Sequence, residues 1–187
     1  MDWHRVRRFV HVLAPLLCLY YVLPDPLFPG APKDQVLILL MLIILASDTL
    51  RLISRVRVPV LRSYEDERPS APAFVAVAVT IAFLYFPLEI TLPALMGMGW
   101  VDPLVGELRH RKSDLNPMLP MVVYFFILLI GIGLFFGMTF PVLLSAVLVA
   151  PVALFLESRR IPLLDDDMIL ILVPVFLVAL VLGQLPF

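Results

Sequence analysis

The sequence is poor in cysteine and in charge. Its one cysteine, Cys18, cannot form an intrachain disulfide, so no disulfide framework holds the fold together. Only 16% of the residues are charged and the net charge is −1, and no exposed aromatic residues alternate with the basic ones, which excludes nucleic acid as the expected partner. A Walker-type glycine-rich loop, zinc-ligand spacing and a serine nucleophile elbow are also missing.

Apolar residues dominate what is present. They make up 61% of the 187 residues, and the mean hydropathy is +1.01, far from the balance of a water-soluble domain. The length gives room for six or seven apolar spans of about 20 residues and little else. The sequence therefore predicts an all-α, polytopic membrane protein with one integral membrane domain over residues 1–187.

Polar breaks, many of them at prolines, predict about seven transmembrane helices. The first has arginines before an apolar run, as a signal peptide has, but Tyr20, Tyr21 and Leu23 stand where a cleavage site needs small residues. We therefore expect a retained helix. The predicted spans are 9–23, 35–52, 71–86, 90–104, 119–136, 139–155 and 168–185.

Lysine and arginine alternate between the gaps that separate these spans. Thirteen of the fourteen lie at the amino terminus or in the second, fourth and sixth loops, and Lys33 is the exception. The positive-inside rule places these gaps and the amino terminus in the cytoplasm, and the carboxyl terminus outside.

Most carboxylates lie in the same gaps, and the densest gap is 99–112. Asp102 and Glu107 would point in different directions on a continuous helix, but Pro103 and Gly106 favour a break that could aim both at one site. Acidic side chains suit Mg²⁺ or another divalent cation, and arginine suits phosphate. The alternative is that these charges only set topology and contact anionic lipid. The basic candidates for phosphate contact are Arg109, Arg111, Lys112, Arg159 and Arg160.

Two further features leave alternatives open. His11 follows two arginines and either faces a cytoplasmic cavity or is a hydrogen-bonded structural residue. Gly133 and Gly137 are spaced for close helix packing. That packing is expected within the chain, and a homo-oligomer is the alternative.

The motifs RRFVHV, EDER, GWVDPLVGELR and LESRRIPLLDDDM, taken in order, resemble the family of dolichol kinases and phytol kinases, which are polyprenol kinases. The chain looks like a compact prokaryotic or archaeal-type member, and is similar at a greater distance to the CDP-diacylglycerol synthases. The resemblance covers almost the whole chain. It implies a multi-pass enzyme of the cell membrane that phosphorylates an isoprenoid alcohol, commonly with CTP and a divalent metal.

The resemblance also implies which residues line the nucleotide and metal site. Three departures accompany it: the segment KSDLNPMLP lacks the Glu-Gly pair that family members have after Lys112, Asp167 replaces their usual asparagine, and two residues separate Gly99 from Asp102 where the family has a Gly-Asp pair. The residues carried over by position are Arg8, His11, Glu67, Asp102, Gly106, Arg109, Lys112, Glu157, Asp165 and Asp166.

These observations predict a kinase that uses CTP, or another nucleoside triphosphate, to phosphorylate a membrane isoprenoid alcohol at the cytoplasmic interface. Asp102, Asp165 and Asp166 are the expected metal ligands, and Glu107 or Glu157 is the expected acceptor of the hydroxyl proton. The alternatives are a membrane cytidylyltransferase of the CDP-lipid synthase type, a non-catalytic lipid-binding membrane protein, and a small transporter.

Overall fold

Helices form almost all of the regular structure. The computed structural model describes the backbone of residues 3–59, 61, 63–159 and 164–186, and the side chains of all of these except 3–5, 63 and 64. Within these ranges the only β-type pairing is an isolated bridge between Phe28 and Ala31, so the all-α prediction is confirmed. The α-helices are α1 (Trp3–Val12), α2 (Lys33–Ser54), α3 (Ala71–Tyr85), α4 (Leu88–Met96), α5 (Asp102–His110), α6 (Met118–Phe136), α7 (Phe140–Ser158) and α8 (Asp166–Leu182).

Three of these helices are long and apolar enough to cross a membrane, namely α2, α6 and α7, with 22, 19 and 19 residues. At 1.5 Å per residue they measure about 29–33 Å, close to the thickness of a bilayer's hydrocarbon core. α2 packs mainly on α3 and leaves side chains such as Leu39 and Ile43 more than half exposed. Such a surface fits contact with lipid.

The first predicted span is not one continuous α-helix. α1 ends at Val12, and a 3-10 segment follows from Ala14 to Val22. Pro15 explains the change, because it has no N–H to donate to the His11 carbonyl and its ring would clash with that carbonyl in an α-helix. The His11 carbonyl is therefore left without an i+4 backbone donor.

The predicted break at Pro103 and Gly106 is wrong, because both residues lie inside α5. The helical path runs from Leu88 to His110 and is widened by a π-turn at Gly97–Val101. Pro103 has no N–H for the Gly99 carbonyl, and the wider turn just before it accommodates this loss. Asp102 and Glu107 consequently point in different directions.

α8 lies at the centre of the bundle and packs against α3, α4 and α7. Its Ile171 and Val175 are fully buried in a core that also includes α6 side chains such as Leu128. α6 approaches α4 closely where Gly131 faces Pro93, and a Cβ on Gly131 would lie 2.8 Å from the proline ring. This packing brings the start of α8 beside α1 and α5.

Candidate functional site

The candidate site is built around the π-turn Gly97–Val101, which lies against the end of α1. Gly99 faces the His11 carbonyl so closely that a Cβ on this glycine would lie 2.5 Å from the carbonyl oxygen. The indole N–H of Trp100 donates to the Val12 carbonyl at 3.1 Å. The turn therefore holds the end of α1 next to the first residue of α5.

His11, Asp102 and Asp167 form the cluster that this arrangement assembles, and one ligand atom from each lies within 4.8 Å of the others. His11 Nε2 lies 3.3 Å from both carboxylate oxygens of Asp167 and 3.9 Å from Asp102 Oδ2. Three helices, α1, α5 and α8, each contribute one residue. We call this group the His-Asp-Asp cluster.

Arg7 supports the cluster from the same face of α1. The Nδ1 atom of His11 lies 3.0 Å from the Arg7 carbonyl oxygen, which fixes the ring and turns Nε2 toward the two aspartates. The Arg7 guanidinium also reaches Asp167, with Nη2 3.8 Å from Oδ2. A positive charge therefore lies beside the cluster.

The three aspartates at the start of α8 have separate positions. Asp165 is the N-cap, and its Oδ1 accepts the backbone N–H of Asp167 at 3.2 Å. Its Oδ2 accepts from Arg68 Nη2, also at 3.2 Å. Asp166 is partly exposed in the first turn, whereas Asp167 is buried and faces His11. The predicted ligands were Asp165 and Asp166, but the aspartate of this run in the cluster is Asp167.

Glu107 makes a separate charged contact between α5 and α1. Its carboxylate accepts from Arg111 at 2.5 Å and pairs with Arg8 at 2.6 Å. The hydrogen bonds from Arg111 and Arg8 hold the pKa of the Glu107 carboxyl below its usual range. Glu107 therefore clamps two helices together and is a weak base.

Glu157 lines a cavity of about 350 Å³ between α5, the loop just before α6 and the end of α7. Its side chain is only 4% exposed, and both carboxylate oxygens lie 3.3 Å from Arg109 Nη2. The other residues that line the cavity are Val105, Asn116, Pro117, Leu154 and Ser158.

A buried network fixes the second loop at the same end of the bundle. Arg51 Nε donates to Asp48 at 2.8 Å, and its two terminal nitrogens donate to the carbonyls of Glu65 and Arg68 at 2.9 Å each. The other Asp48 oxygen accepts the Ser70 N–H at 2.9 Å. Arg68 is thereby positioned to reach the start of α8.

Several predicted residues do not contact the His-Asp-Asp cluster in the part of the chain that is described. Arg159 is exposed, and its guanidinium lies 5.0 Å from the centre of the Phe155 ring. Gly106 is exposed, and nothing lies within 4 Å of where its Cβ would be. Arg160 falls outside the described residues. The other exposed candidates are Glu67, Arg111 and Lys112.

Sequence reasoning did not assign roles to Asp167, Arg7 or Arg68. Arg7 and His11 are four residues apart, so they share a helix face once α1 is recognised. Capping preference would have identified Asp167 indirectly, because the first aspartate before an apolar helix is normally its cap and the next two enter the first turn. Arg68 reaches Asp165 because the hydrogen bonds of Arg51 and Asp48 fix the second loop, and no sequence pattern predicts those hydrogen bonds.

The residues of the His-Asp-Asp cluster could hold a divalent cation. Oxygen ligands held at about 2.1 Å in an octahedral shell are about 3 Å apart when adjacent and about 4 Å apart when opposite. The two separations measured from His11 Nε2, 3.3 and 3.9 Å, lie in this range, and all three ligand atoms lie within 4.8 Å of one another. Since one donor is an imidazole nitrogen, the set suits Mn²⁺ at least as well as Mg²⁺.

No family model matches the chain, and neither a curated protein nor a solved structure matches it.

Proposed function

We propose that this protein is a divalent-metal-dependent kinase that transfers a phosphoryl group from CTP to a membrane isoprenoid alcohol. The observation that carries the proposal is the His-Asp-Asp cluster with arginines around it, at one end of a bundle of apolar helices. Phosphoryl transfer needs mainly a metal ion and positive groups that position phosphates. The order of the sequence motifs supports the isoprenoid alcohol and CTP.

His11, Asp102 and Asp167 would hold the metal ion, which when bound neutralises charge on the donor phosphates. Arg7 is the basic residue beside this cluster, and Arg109 provides a second, more exposed guanidinium. Both can donate to phosphate oxygens in the fork geometry of arginine. The chain therefore offers a metal site and phosphate contacts from α1 and α5.

In the proposed step, the alcohol oxygen forms a bond to the γ-phosphorus of CTP. The bond from this phosphorus to the β–γ bridging oxygen breaks, and CDP leaves. The hydroxyl proton passes to the transferred phosphoryl group. This route needs no carboxylate base, and Glu107, one of the two predicted proton acceptors, is held by Arg8 and Arg111.

An apolar groove between α7 and α8 supports a lipid substrate. It has a volume of about 300 Å³ and contains no polar lining residue among those described. α8 begins at Asp166 and continues into this groove, so a chain lying there would approach the charged end of the bundle. The groove is lined by Val152, Leu156, Leu172, Val173, Phe176 and Leu177.

We also propose seven membrane crossings, with the amino terminus and the charged end of the bundle in the cytoplasm. Each of the seven apolar segments overlaps described helical structure, the first mainly as the 3-10 segment Ala14–Val22, and the alternation of basic residues supports the orientation. A reporter fused after Phe187 should be active only on the outer side. Cytoplasmic activity of that fusion would contradict this topology.

The kinase proposal is tested with the purified full-length chain in lipid nanodiscs, supplied with γ-labelled CTP, Mn²⁺ or Mg²⁺, and a panel of prenols. We expect a labelled prenyl phosphate and one CDP for each product molecule. Release of pyrophosphate would instead identify the cytidylyltransferase alternative. Absence of product with every donor and prenol would remove the kinase proposal.

A further inference from the structure

The ligands of the His-Asp-Asp cluster are more enclosed than an entering phosphate donor allows. The side chains of His11, Asp102 and Asp167 are only 13%, 19% and 3% exposed. A metal ion that is shared with a triphosphate keeps coordination positions for water and phosphate oxygens. An element beside the cluster must therefore move before a donor can reach the ion.

α1 is the helix that the core holds least. None of its described side chains, at positions 6–12, is buried, whereas each of the other seven α-helices contributes at least one buried residue. Its main contacts are with the π-turn, α5 and the adjoining 3-10 segment. Phe9 and Val10 are 65% and 60% exposed, so the described part of the chain does not cover this side of α1. An outward movement of α1 would leave the core intact.

The chain can bend where α1 meets the 3-10 segment. Pro15 has no N–H to donate to the His11 carbonyl. The Leu16 N–H donates to the Leu13 carbonyl at 2.9 Å, a bond between residues three apart. Ala14 is the first buried residue after α1. The α-helical hydrogen bonds therefore stop just before the chain enters the core, and this junction is a suitable hinge.

Two contacts outside the cluster hold α1 in place. Arg8 Nη1 lies 2.6 Å from Glu107 Oε2, and both side chains are partly open to water. The indole N–H of Trp100 donates to the Val12 carbonyl at 3.1 Å. An exposed ion pair contributes little net stability, because water solvates both charges when it separates. The pair between α1 and α5 can therefore open and re-form.

We propose that α1 is a hinged lid over the metal ligands. When it is open, Asp102 and Asp167 are accessible to a phosphate-bearing donor. When it closes, it brings His11 and Arg7 onto the metal ion and the donor phosphates, which completes the ligand set and excludes water from the reacting groups. The lid rests on the proposed function, because the donor that it admits is the proposed one.

The test fastens the lid and measures the exchange of metal. In a Cys18→Ala background, Arg8→Cys and Glu107→Cys replace the ion pair, and a bis-methanethiosulfonate reagent that dithiothreitol cleaves joins the two thiols. The full-length protein in nanodiscs is loaded with radioactive Mn²⁺, crosslinked and chased with unlabelled Mn²⁺. We expect crosslinking to slow the release of radioactive Mn²⁺ at least about 10-fold, because the link prevents the opening step. Dithiothreitol should restore the original rate.

Glu107→Cys with Arg111→Cys is the matched control. These positions are four residues apart at the end of α5, so the same reagent joins them without touching α1, and the release of Mn²⁺ should not change. If the cysteine variants do not fold, Arg8→Gln and Arg111→Gln serve instead, since each removes one of the two ion pairs of Glu107. Arg8→Gln should release Mn²⁺ about 2- to 5-fold faster than the wild type, the range that an exposed ion pair provides. Arg111→Gln should match the wild type.

The outcomes separate the lid from the kinase. Equal release from the two crosslinked proteins, or equal release from Arg8→Gln and Arg111→Gln, would overturn the lid and leave the kinase proposal standing. Slower release from the fastened protein, combined with no prenyl phosphate product in the kinase assay, would sustain the lid and remove the kinase. A wild type that retains no Mn²⁺ would overturn the lid together with the metal site.

Discussion

Gly99 is the position where one added methyl group should disable the His-Asp-Asp cluster without touching a cluster side chain. In Gly99→Ala the new Cβ would lie 2.5 Å from the His11 carbonyl oxygen, 3.2 Å from Pro15 Cδ and 3.4 Å from Ala14 Cβ. Ordinary contacts begin at about 3.4 Å, so the end of α1 must move by about 0.9 Å. The obstacle is backbone, which cannot turn away as a flexible side chain can.

The expected magnitude follows from this displacement. Overpacking of a tight contact costs about 1–3 kcal/mol. Replacing a helical glycine by alanine also stabilises the helix by about 0.5–1 kcal/mol, and this gain applies equally to the control Gly106→Ala, where a Cβ meets nothing within 4 Å. The two variants should therefore differ by about 1–3 kcal/mol. Moving the end of α1 also moves His11, and disturbing the groups that orient a metal ligand lowers metal affinity about 10- to 100-fold.

The measurement is a titration of the full-length chain in nanodiscs with Mn²⁺, in which electron paramagnetic resonance reports the free ion. Gly99→Ala should bind Mn²⁺ about 10- to 100-fold more weakly than the wild type, and Gly106→Ala should match the wild type. Thermal unfolding should rank the variants in the same order. If Gly99→Ala is folded and binds Mn²⁺ as tightly as Gly106→Ala, the π-turn does not position the metal ligands and the reasoning fails.

Three other changes test separate parts of the charged end. His11→Ala removes the only nitrogen ligand of the cluster and should lower Mn²⁺ affinity at least about 10-fold in the same titration. Hydrogen bonds from Arg111 and Arg8 lower the pKa of Glu107 in the folded protein. Its carboxylate therefore stabilises the fold fully above the unfolded pKa of about 4.3, and this contribution is lost as the pH falls through the lower folded pKa. The difference in melting temperature between the wild type and Glu107→Gln should thus be full at pH 6 and vanish in strong acid; a constant difference would contradict the ion pairs. Arg51→Met leaves the Asp48 carboxylate without its positive partner and should cost about 3–5 kcal/mol, measured by chemical unfolding in detergent micelles. A loss under about 1 kcal/mol would show that the fold does not need the network.

Composition and hydrophobic runs predicted the helical class well because both depend on local sequence. The helices α2, α6 and α7 lie within a few residues of their predicted spans, since polar and proline breaks end an apolar run directly. The wrong helix predictions lie where a proline removes the hydrogen bond to the carbonyl four residues before it. Pro15 converts the rest of the first span into a 3-10 segment, and before Pro103 the chain forms a π-turn and then remains helical.

The site was predicted in its residue types more than in its pairings. Asp102 and His11 were both candidates, and the structure brings them together. Asp167 was the least expected of the three aspartates, because the resemblance assigned the metal to Asp165 and Asp166. The sequence pattern could not determine which aspartate faces His11, since that choice depends on Asp165 serving as the N-cap and on the rotation of α8 in its packing against α4 and α7.

The pairing of His11 with Asp102 depends on the backbone where α1 contacts the π-turn. Proline follows both His11 and Gly99 by four residues, so neither carbonyl can receive the usual i+4 hydrogen bond, and both lie where α1 meets the turn. A side chain on Gly99 would hold the helices apart, and only its absence lets α1 approach closely enough for His11 to reach Asp102. The charged residues in the gaps predicted a charged cluster at this end of the bundle, but two prolines and a glycine, which have no ionisable side chain, determine which charges meet.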